Sequence, residues 1–538
     1  MWSDWDSPAT GRRVPGSVPI GIIAALVSLV VSAFIVRTGF NLAYSDAQSH
    51  LTIARQLLDT RSTPGLVQLG TVWLPVPHLL LAPLVLVLWL WHTGWGAAIL
   101  GAVCLGVTAA SLYRVMARWG AGRLGRLAAV GVVVVNPTML YLSSTALTEP
   151  VLIACMSASL AGIATLATRR RLSSPGEAAI FCGIPAALAA LCRYEGWALA
   201  VTGAVFVGVL SYRRSNGKAS RTIAMMVGFI APPLLAMSWW VGFNWVVFHQ
   251  PLEFLSGEYS ANAQQTGVIS AGTSTQAHLA ATIRTLNMAV SSSAGWVPLV
   301  VAAMGLLVVL FRPHRLLPLL FLVTSASSYL FLVVALYTGQ AIIWNKATGA
   351  SYAWNNRFGM ASILPIALLT GAGVEALAHA ARKTGIPTPG IRAVAVLCGA
   401  SLMIALVAQS MWILQRPTER SLVLTEAAES WDAGTYSRHA AEWLHDHYDG
   451  GGILLDETIN KNANLPQIGI PLRQFYIRAD DTLFDQAVAD PLGHARWIWM
   501  SSNQSDAVRQ AMAPEEVRSH YRIAYRNEEI TILVRTDR

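Results

Sequence analysis

The chain has 538 residues, 54% of them apolar and only 12% charged, with a formal charge of +9. A soluble domain carries about twice that share of charge, and uncharged stretches of roughly 20 residues, each able to cross ~30 Å of hydrocarbon, recur through the first three quarters. A soluble fold is excluded. The basic residues lie in short clusters between apolar segments, so the positive charge is read as membrane orientation and not as nucleic-acid binding.

In chain order the expected spans are Val18–Val36, Gly96–Tyr113, Leu127–Leu142, Val151–Ala167, Ala178–Cys192, Trp197–Tyr212, Ile223–Phe248, Ala294–Phe311, Leu316–Tyr337, Phe358–Ala378 and Ala393–Leu414. No small-residue cleavage pattern follows the first, so it is read as retained and not as a signal peptide. Basic clusters mark alternate loops: Arg12/Arg13, Arg114/Arg118/Arg123/Arg126, Arg169/Arg170/Arg171, Arg213/Arg214/Lys218/Arg221, Arg312/Arg315 and Arg382/Lys383/Arg392. By the positive-inside rule these loops are cytoplasmic. Residues 1–17 are then inside, and everything after Leu414 is outside. Leu74–Trp91 breaks the parity, and Pro75, Pro77 and Pro83 argue against a straight helix there. It is read as re-entrant, or as a hairpin with part of the next segment. Trp89, Trp91 and Trp95 fit an interfacial belt. Cys104, Cys155, Cys182, Cys192 and Cys398 match neither a disulfide framework nor zinc spacing and read as core.

The predicted fold is therefore an all-α polytopic membrane bundle over 18–414, with about eleven spans plus a re-entrant segment and an outward first loop at 37–74. A small extracytoplasmic α/β domain follows at 415–538. Within it, Arg438–Tyr448 and Asp506–Met512 read as helices, Gly452–Asp456 and Arg496–Ser501 as strands, and Tyr521–Arg526 with Ile530–Arg535 as a hairpin. No internal repeat of the transporter kind is evident.

The outward loops hold the polar groups. In the first, Ser45 and Gln48 have capping-box spacing, which places Asp46 in the first turn of a short helix. Leu51, Ala54, Leu57 and Leu58 give that helix an apolar face suited to the membrane surface. Asp46 and His50, four apart, share a face. An acid there suits a general base, although a first-turn carboxylate is also favourable simply for the helix. Glu149 precedes Pro150 at the mouth of the next outward-starting span, again where a plain helix-end acid would sit. Arg193-Tyr194-Glu195-Gly196-Trp197 is a tight outward turn whose Arg and Trp also fit interfacial anchoring. Gln250–Ser293 is a long polar loop with Glu253, Glu258, Tyr259 and His278, of the kind that forms lids or stays disordered. Ala341–Arg357 carries Trp344, Asn345, Lys346, Tyr352, Trp354, Asn355, Asn356 and Arg357, suited to stacking on a sugar and clamping a phosphate, or to an aromatic belt.

Ser45-Asp46-Ala47, the Trp73-Leu74-Pro75-Val76-Pro77-His78 lead into an apolar helix, Leu147-Thr148-Glu149-Pro150, and Arg357-Phe358 before Pro365 share an order and sidedness. In these the chain resembles the GT-C integral-membrane glycosyltransferases, particularly the branch of dolichyl-phosphate-mannose protein mannosyltransferases and the lipid A aminoarabinose transferase. The resemblance implies an inverting transfer from a polyprenyl-phosphate sugar to a glycan, glycolipid or protein acceptor at the outer face of the cytoplasmic membrane. Asp46 would be the base, with Glu149 the second acid. Arg357, Lys346 and Arg193 would bind the donor phosphate. His50, Trp73, His78, Tyr194, Glu195, Glu258, Tyr259, Trp354 and Asn355 would line the substrate site. Asp46 is followed by Ala47 and Glu149 belongs to no Asp-x-Asp triplet, so no metal or other cofactor is predicted. The rival class, a transporter or flippase of lipid-linked sugars, needs ionisable groups within the spans. Almost none are found, and Glu375 lies near a cytoplasmic end. An anchored scaffold does not need eleven spans.

Overall fold

The computed structural model describes residues 14–257, 260, 261, 263, 264, 274–311, 314–383, 388–458 and 465–536. The main helices are α1 (Ser17–Arg37), α2 (Ser45–Gln56), α3 (Val76–Val85), α4 (Trp95–Arg118), α5 (Glu149–Thr168), α6 (Glu195–Arg214), α7 (Ala219–Phe248), α8 (Leu279–Ala294), α9 (Trp296–Leu310), α10 (Leu316–Ser325), α11 (Ser327–Thr338), α12 (Ile363–Lys383), α13 (Thr388–Gln415), α14 (Leu422–Ala433) and α15 (Thr435–His447). Among the described residues six helices are long and apolar enough to cross a membrane, or up to eight if each bent pair is one span. Those pairs are α8 with α9, bent by 110°, and α10 with α11, bent by 54°. Gly295 makes the sharper bend at φ +81°, which a residue without Cβ adopts freely. On α1, Val18, Ile22, Leu26, Val30 and Phe34 are exposed. Its opposite side meets α4 at Gly21 and Gly106, where a Cβ on either would come 2.8 Å from the other's carbonyl oxygen. Such small-residue contacts let apolar helices approach closely.

Several local expectations are corrected. The span expected at Leu127–Leu142 is two helices, Arg123–Val134 and Pro137–Leu142. Pro137 cannot continue the first helix, and the Asn136 side chain caps the second by accepting from Met139 N at 2.8 Å. The polar stretch expected as loop to Ser293 contains α8, whose Ser and Thr residues face neighbouring helices instead of water. Thr282, Thr285 and Ser293 are buried. In α2, Ser45 is already helical and Tyr44 is the cap residue, without a side-chain cap bond. The expected capping box is absent because Gln48 Nε2 instead donates to Leu42 O at 2.9 Å. Trp91 is not in a belt: it is fully buried, with the Arg55 guanidinium 4.9 Å from its ring.

Within Leu74–Trp91 the first helix, α3, has ten residues, a rise of about 15 Å, half of what a crossing needs. Beyond it, His92 Nδ1 donates to Pro466 O at 2.9 Å, and Thr93 O accepts from Asn41 Nδ2 at 2.9 Å. Asn41 belongs to the first loop, and Pro466 to the C-terminal region on which that loop is seated.

The C-terminal sheet has the order β2-β1-β3-β5-β4. β1 (Ile453–Leu455), β2 (Phe475–Tyr476) and β3 (Trp497–Ser501) are parallel, and β4 (Tyr521–Arg526) and β5 (Ile530–Arg535) extend it antiparallel. Two-residue β2 escaped the sequence reading, being too short to show alternation. The first loop is seated on this sheet region. Asp59 accepts from Leu472 N and Arg473 N at 3.1 and 3.3 Å, and Asp480 accepts from Thr60 Oγ1 and Ser62 N at 3.1 and 3.0 Å.

Candidate active site

A cavity of about 570 Å³ opens between the first loop, the turn before α6 and the segment after α11. Its walls are mostly apolar and aromatic, with Trp73, Leu74, Tyr194, Phe254, Phe331, Leu332 and Trp354, and its charged end holds Asp46, Arg193, Glu195 and Arg357.

Local structure explains each charged position. Asp46 lies in the first turn of α2, where the helix dipole favours a carboxylate. Arg357 follows Asn355, whose φ of +57° is a left-handed conformation that Asn tolerates better than most residues. The turn is tied on both sides. Trp344 and Trp354 exchange backbone hydrogen bonds at 2.9 and 3.0 Å, and Asn356 Nδ2 donates to Trp344 O at 2.7 Å. Arg193 ends the preceding turn, with its N–H on Ala189 O at 3.2 Å, and Glu195 starts α6.

These groups form one network. Arg357 Nη2 hydrogen-bonds Asp46 Oδ2; Nη1 donates to Glu426 Oε1 at 3.2 Å; Nε lies 3.3 Å from Glu149 Oε1 as an ion pair without hydrogen-bond alignment. Each nitrogen of one guanidinium therefore faces a different carboxylate. Arg193 donates to Glu149 Oε1 and Glu195 Oε1, both at 3.0 Å, and to Thr148 Oγ1 at 3.1 Å, and lies 4.3 Å from the Phe358 ring. Four carboxylates share two guanidiniums, so the site is acid-rich. Burial disfavours the Arg193 cation, but Glu195 and Glu149 more than offset it and raise its pKa. Burial pushes the Glu426 carboxyl up to about 7, against the pull of Arg357 and the Asn355 N–H. Burial, then His78, Arg357 and Arg193, hold His50 well below the usual imidazole range, which keeps it neutral. Its Nδ1 is 2.8 Å from His78 Nε2, and its ring lies 4.4 Å from that of Trp73.

The structure thus brings Asp46, Arg193, Arg357, His50, Trp73, Tyr194, Glu195, Trp354 and Asn355 to one cavity. Glu149 is buried just behind it, its Oε2 without a hydrogen-bond partner. His78 is fully buried behind His50. Lys346 is exposed and does not line the cavity. It sits in a one-turn 3₁₀ helix capped by Asn345, which turns the chain away before Arg357. Glu258 and Tyr259 lie outside the described residues. Sequence reasoning missed Glu426, since α14 lies in the stretch assigned to a separate domain and no spacing ties it to Arg357. It also missed Tyr44, whose ring lies 5.1 Å from the Arg357 guanidinium. Among the described residues no group of three or more His, Cys, Asp or Glu is arranged to hold a metal ion. Compared with known proteins, the chain matches no family profile and no curated protein.

Proposed function

We propose that this chain is a polytopic membrane glycosyltransferase, of about eleven spans, that moves a hexosyl or pentosyl group from a polyprenyl-phosphate donor to an acceptor hydroxyl on the outer face of the cytoplasmic membrane. One observation carries the proposal: a carboxylate and a guanidinium from segments 311 positions apart meet at the charged end of an otherwise apolar cavity. A lipid-linked sugar phosphate has the same division, an anionic group between an apolar chain and a hydroxylated ring.

The geometry suggests an order of events. Each nitrogen of Arg357 already faces a carboxylate, so a donor phosphate approaching the guanidinium competes with one of them. Asp46 is the candidate: its side chain is 33% exposed and lines the cavity, whereas those of Glu149 and Glu426 are 1% and 7% exposed and do not. Phosphate on Arg357 would leave Asp46 free to take the proton of the acceptor hydroxyl. That oxygen attacks C1 of the sugar from the face opposite the phosphate, the C1–O bond breaks, and its electron pair leaves on the phosphate. Arg357 and Arg193 offset the charge that develops there. The leaving phosphate is a weak base and needs no protonation, so one base suffices and the anomeric centre inverts.

Incubating the purified protein with radiolabelled polyprenyl-phosphate sugars, and following which loses its label, tests this reading. Release of label from none of them would count against it. Sidedness is tested separately, by whether an impermeant maleimide reaches Asp46→Cys from outside the cell.

A further inference from the structure

The transfer reading leaves α14 without a role, yet this helix hydrogen-bonds both halves of the site. It starts at Ser421, whose side chain caps Leu424 N. Val423, Glu426 and Ser430 then recur at helical spacing on one face. Val423 O accepts from Tyr44 OH at 2.8 Å, and Ser430 Oγ donates to Ala43 O at 2.7 Å, so the helix grips the two residues just ahead of Ser45 and Asp46. Between them Glu426 points at the other half of the site. It accepts from Asn355 N at 2.9 Å through Oε1 and from Asn356 N at 3.3 Å through Oε2, and it takes Arg357 Nη1 at 3.2 Å. Glu429 Oε2 adds Ala353 N at 3.3 Å.

We infer that Glu426 is a positioning residue of the proposed transfer, holding the Asn355–Arg357 turn so that the guanidinium presents the Nη2 edge, from which Asp46 leaves, to the donor phosphate. The inference rests on the transferase reading. It gives the C-terminal segment a part in the chemistry itself: α14 fixes Asp46 and Arg357 relative to each other from behind, one through Ala43 and Tyr44, the other through Glu426. A left-handed, non-glycine turn such as that at Asn355 is intrinsically disfavoured, and two backbone donors accepted by a single carboxylate offset that cost. Glu426 does not itself line the cavity, so it acts through Arg357.

The test is binding of methyl decaprenyl phosphate, a phosphodiester of constant charge, to the full-length protein in nanodiscs, with thermal unfolding followed in parallel. Glu426→Gln keeps an oxygen for Asn355 N and should bind within about threefold of the parent. Glu426→Ala removes every acceptor and should bind at least tenfold more weakly while unfolding cooperatively. Should Glu426→Ala fail to fold, Glu426→Asp takes its place: its shorter reach predicts a loss intermediate between parent and Glu426→Ala. Parental affinity in the Ala or Asp variant overturns the positioning role. If that happens while Arg357→Gln abolishes binding, the transferase reading survives and the inference alone falls. If the parent does not bind the phosphodiester, both fall together.

Discussion

Arginine is used in two ways at two places in this molecule. In the loops 169–177 and 214–221 the guanidiniums tie helix ends and loops together. Arg214 Nη1 donates to Leu166 O at 2.7 Å, Arg221 Nη2 donates to Ser173 O at 2.6 Å, and Arg169 and Arg171 share Glu177, itself the acid of an N-terminal capping box. Arg214 satisfies a carbonyl that the last turn of α5 leaves unpaired, and the others tie the loop together. At the cavity, Arg193 and Arg357 satisfy no helix end. Arg357 is buried and Arg193 half-buried among four carboxylates from α2, α5, α6 and α14. A buried ionic cluster of this kind is poor value for stability, because desolvation consumes most of the Coulomb gain. Such a cluster in an apolar bundle supports the proposed chemistry, whereas the loop arginines support architecture alone.

Substitutions at the two places should separate these roles. The largest effect is expected for Asp46→Asn, which removes the base and should lower transfer by roughly 10²–10⁴-fold while leaving phosphodiester binding intact or tighter, since a competitor for Arg357 is gone. Affinity lost along with turnover would break the proposed exchange. Glu149→Gln comes next. It leaves two guanidiniums short of a partner, and removal of one member of a buried pair costs about 3–5 kcal/mol, to be read as a lowered unfolding midpoint in detergent. An unchanged midpoint would place that acid outside the network's energetics.

A smaller effect follows from pH. Glu426 faces Arg357, Asp46, Tyr44 and Tyr141, with Glu429 beside it on α14 and Glu149 and Arg193 behind Arg357. With its carboxyl up at about 7, Glu426 is mostly protonated at pH 6 and mostly ionised at pH 8. The site is then less negative at pH 6, so a phosphodiester of constant charge should bind more tightly there, with the change centred near pH 7. That dependence should vanish in Glu426→Gln. An identical slope in parent and variant would assign the titration elsewhere. The smallest effect belongs to the other arginines: Arg171→Ala, at an exposed pair, should leave transfer and melting unchanged, and a loss of transfer there would blur the contrast.

Much of this arrangement was legible in the sequence, for definite reasons. Apolar runs located α1, α4, α5, α6 and α7, because hydrocarbon demands long uninterrupted helices. The placing of Asp46, Glu149, Arg193 and Arg357 in loops assigned to one side of the membrane was enough to nominate them together. Their interlocking was not legible, because it depends on how α2, α5 and α12 pack. Ser-rich α8 was hidden by a composition that looks like loop, and Asn136-Pro137 broke a helix that hydropathy alone joins. Glu426 was invisible because its partners lie 69 to 71 positions away, and a carboxylate in a polar helix carries no mark of being buried.

The most direct test is single-turnover transfer from a radiolabelled polyprenyl-phosphate sugar, once the donor that the parent consumes is known, comparing the parent with Asp46→Asn and Arg357→Gln in the same membranes at matched expression. The proposed exchange predicts label moving to product only with the parent, Asp46→Asn retaining the donor unreacted and Arg357→Gln failing to hold it. Turnover near the parental rate in Asp46→Asn would contradict it.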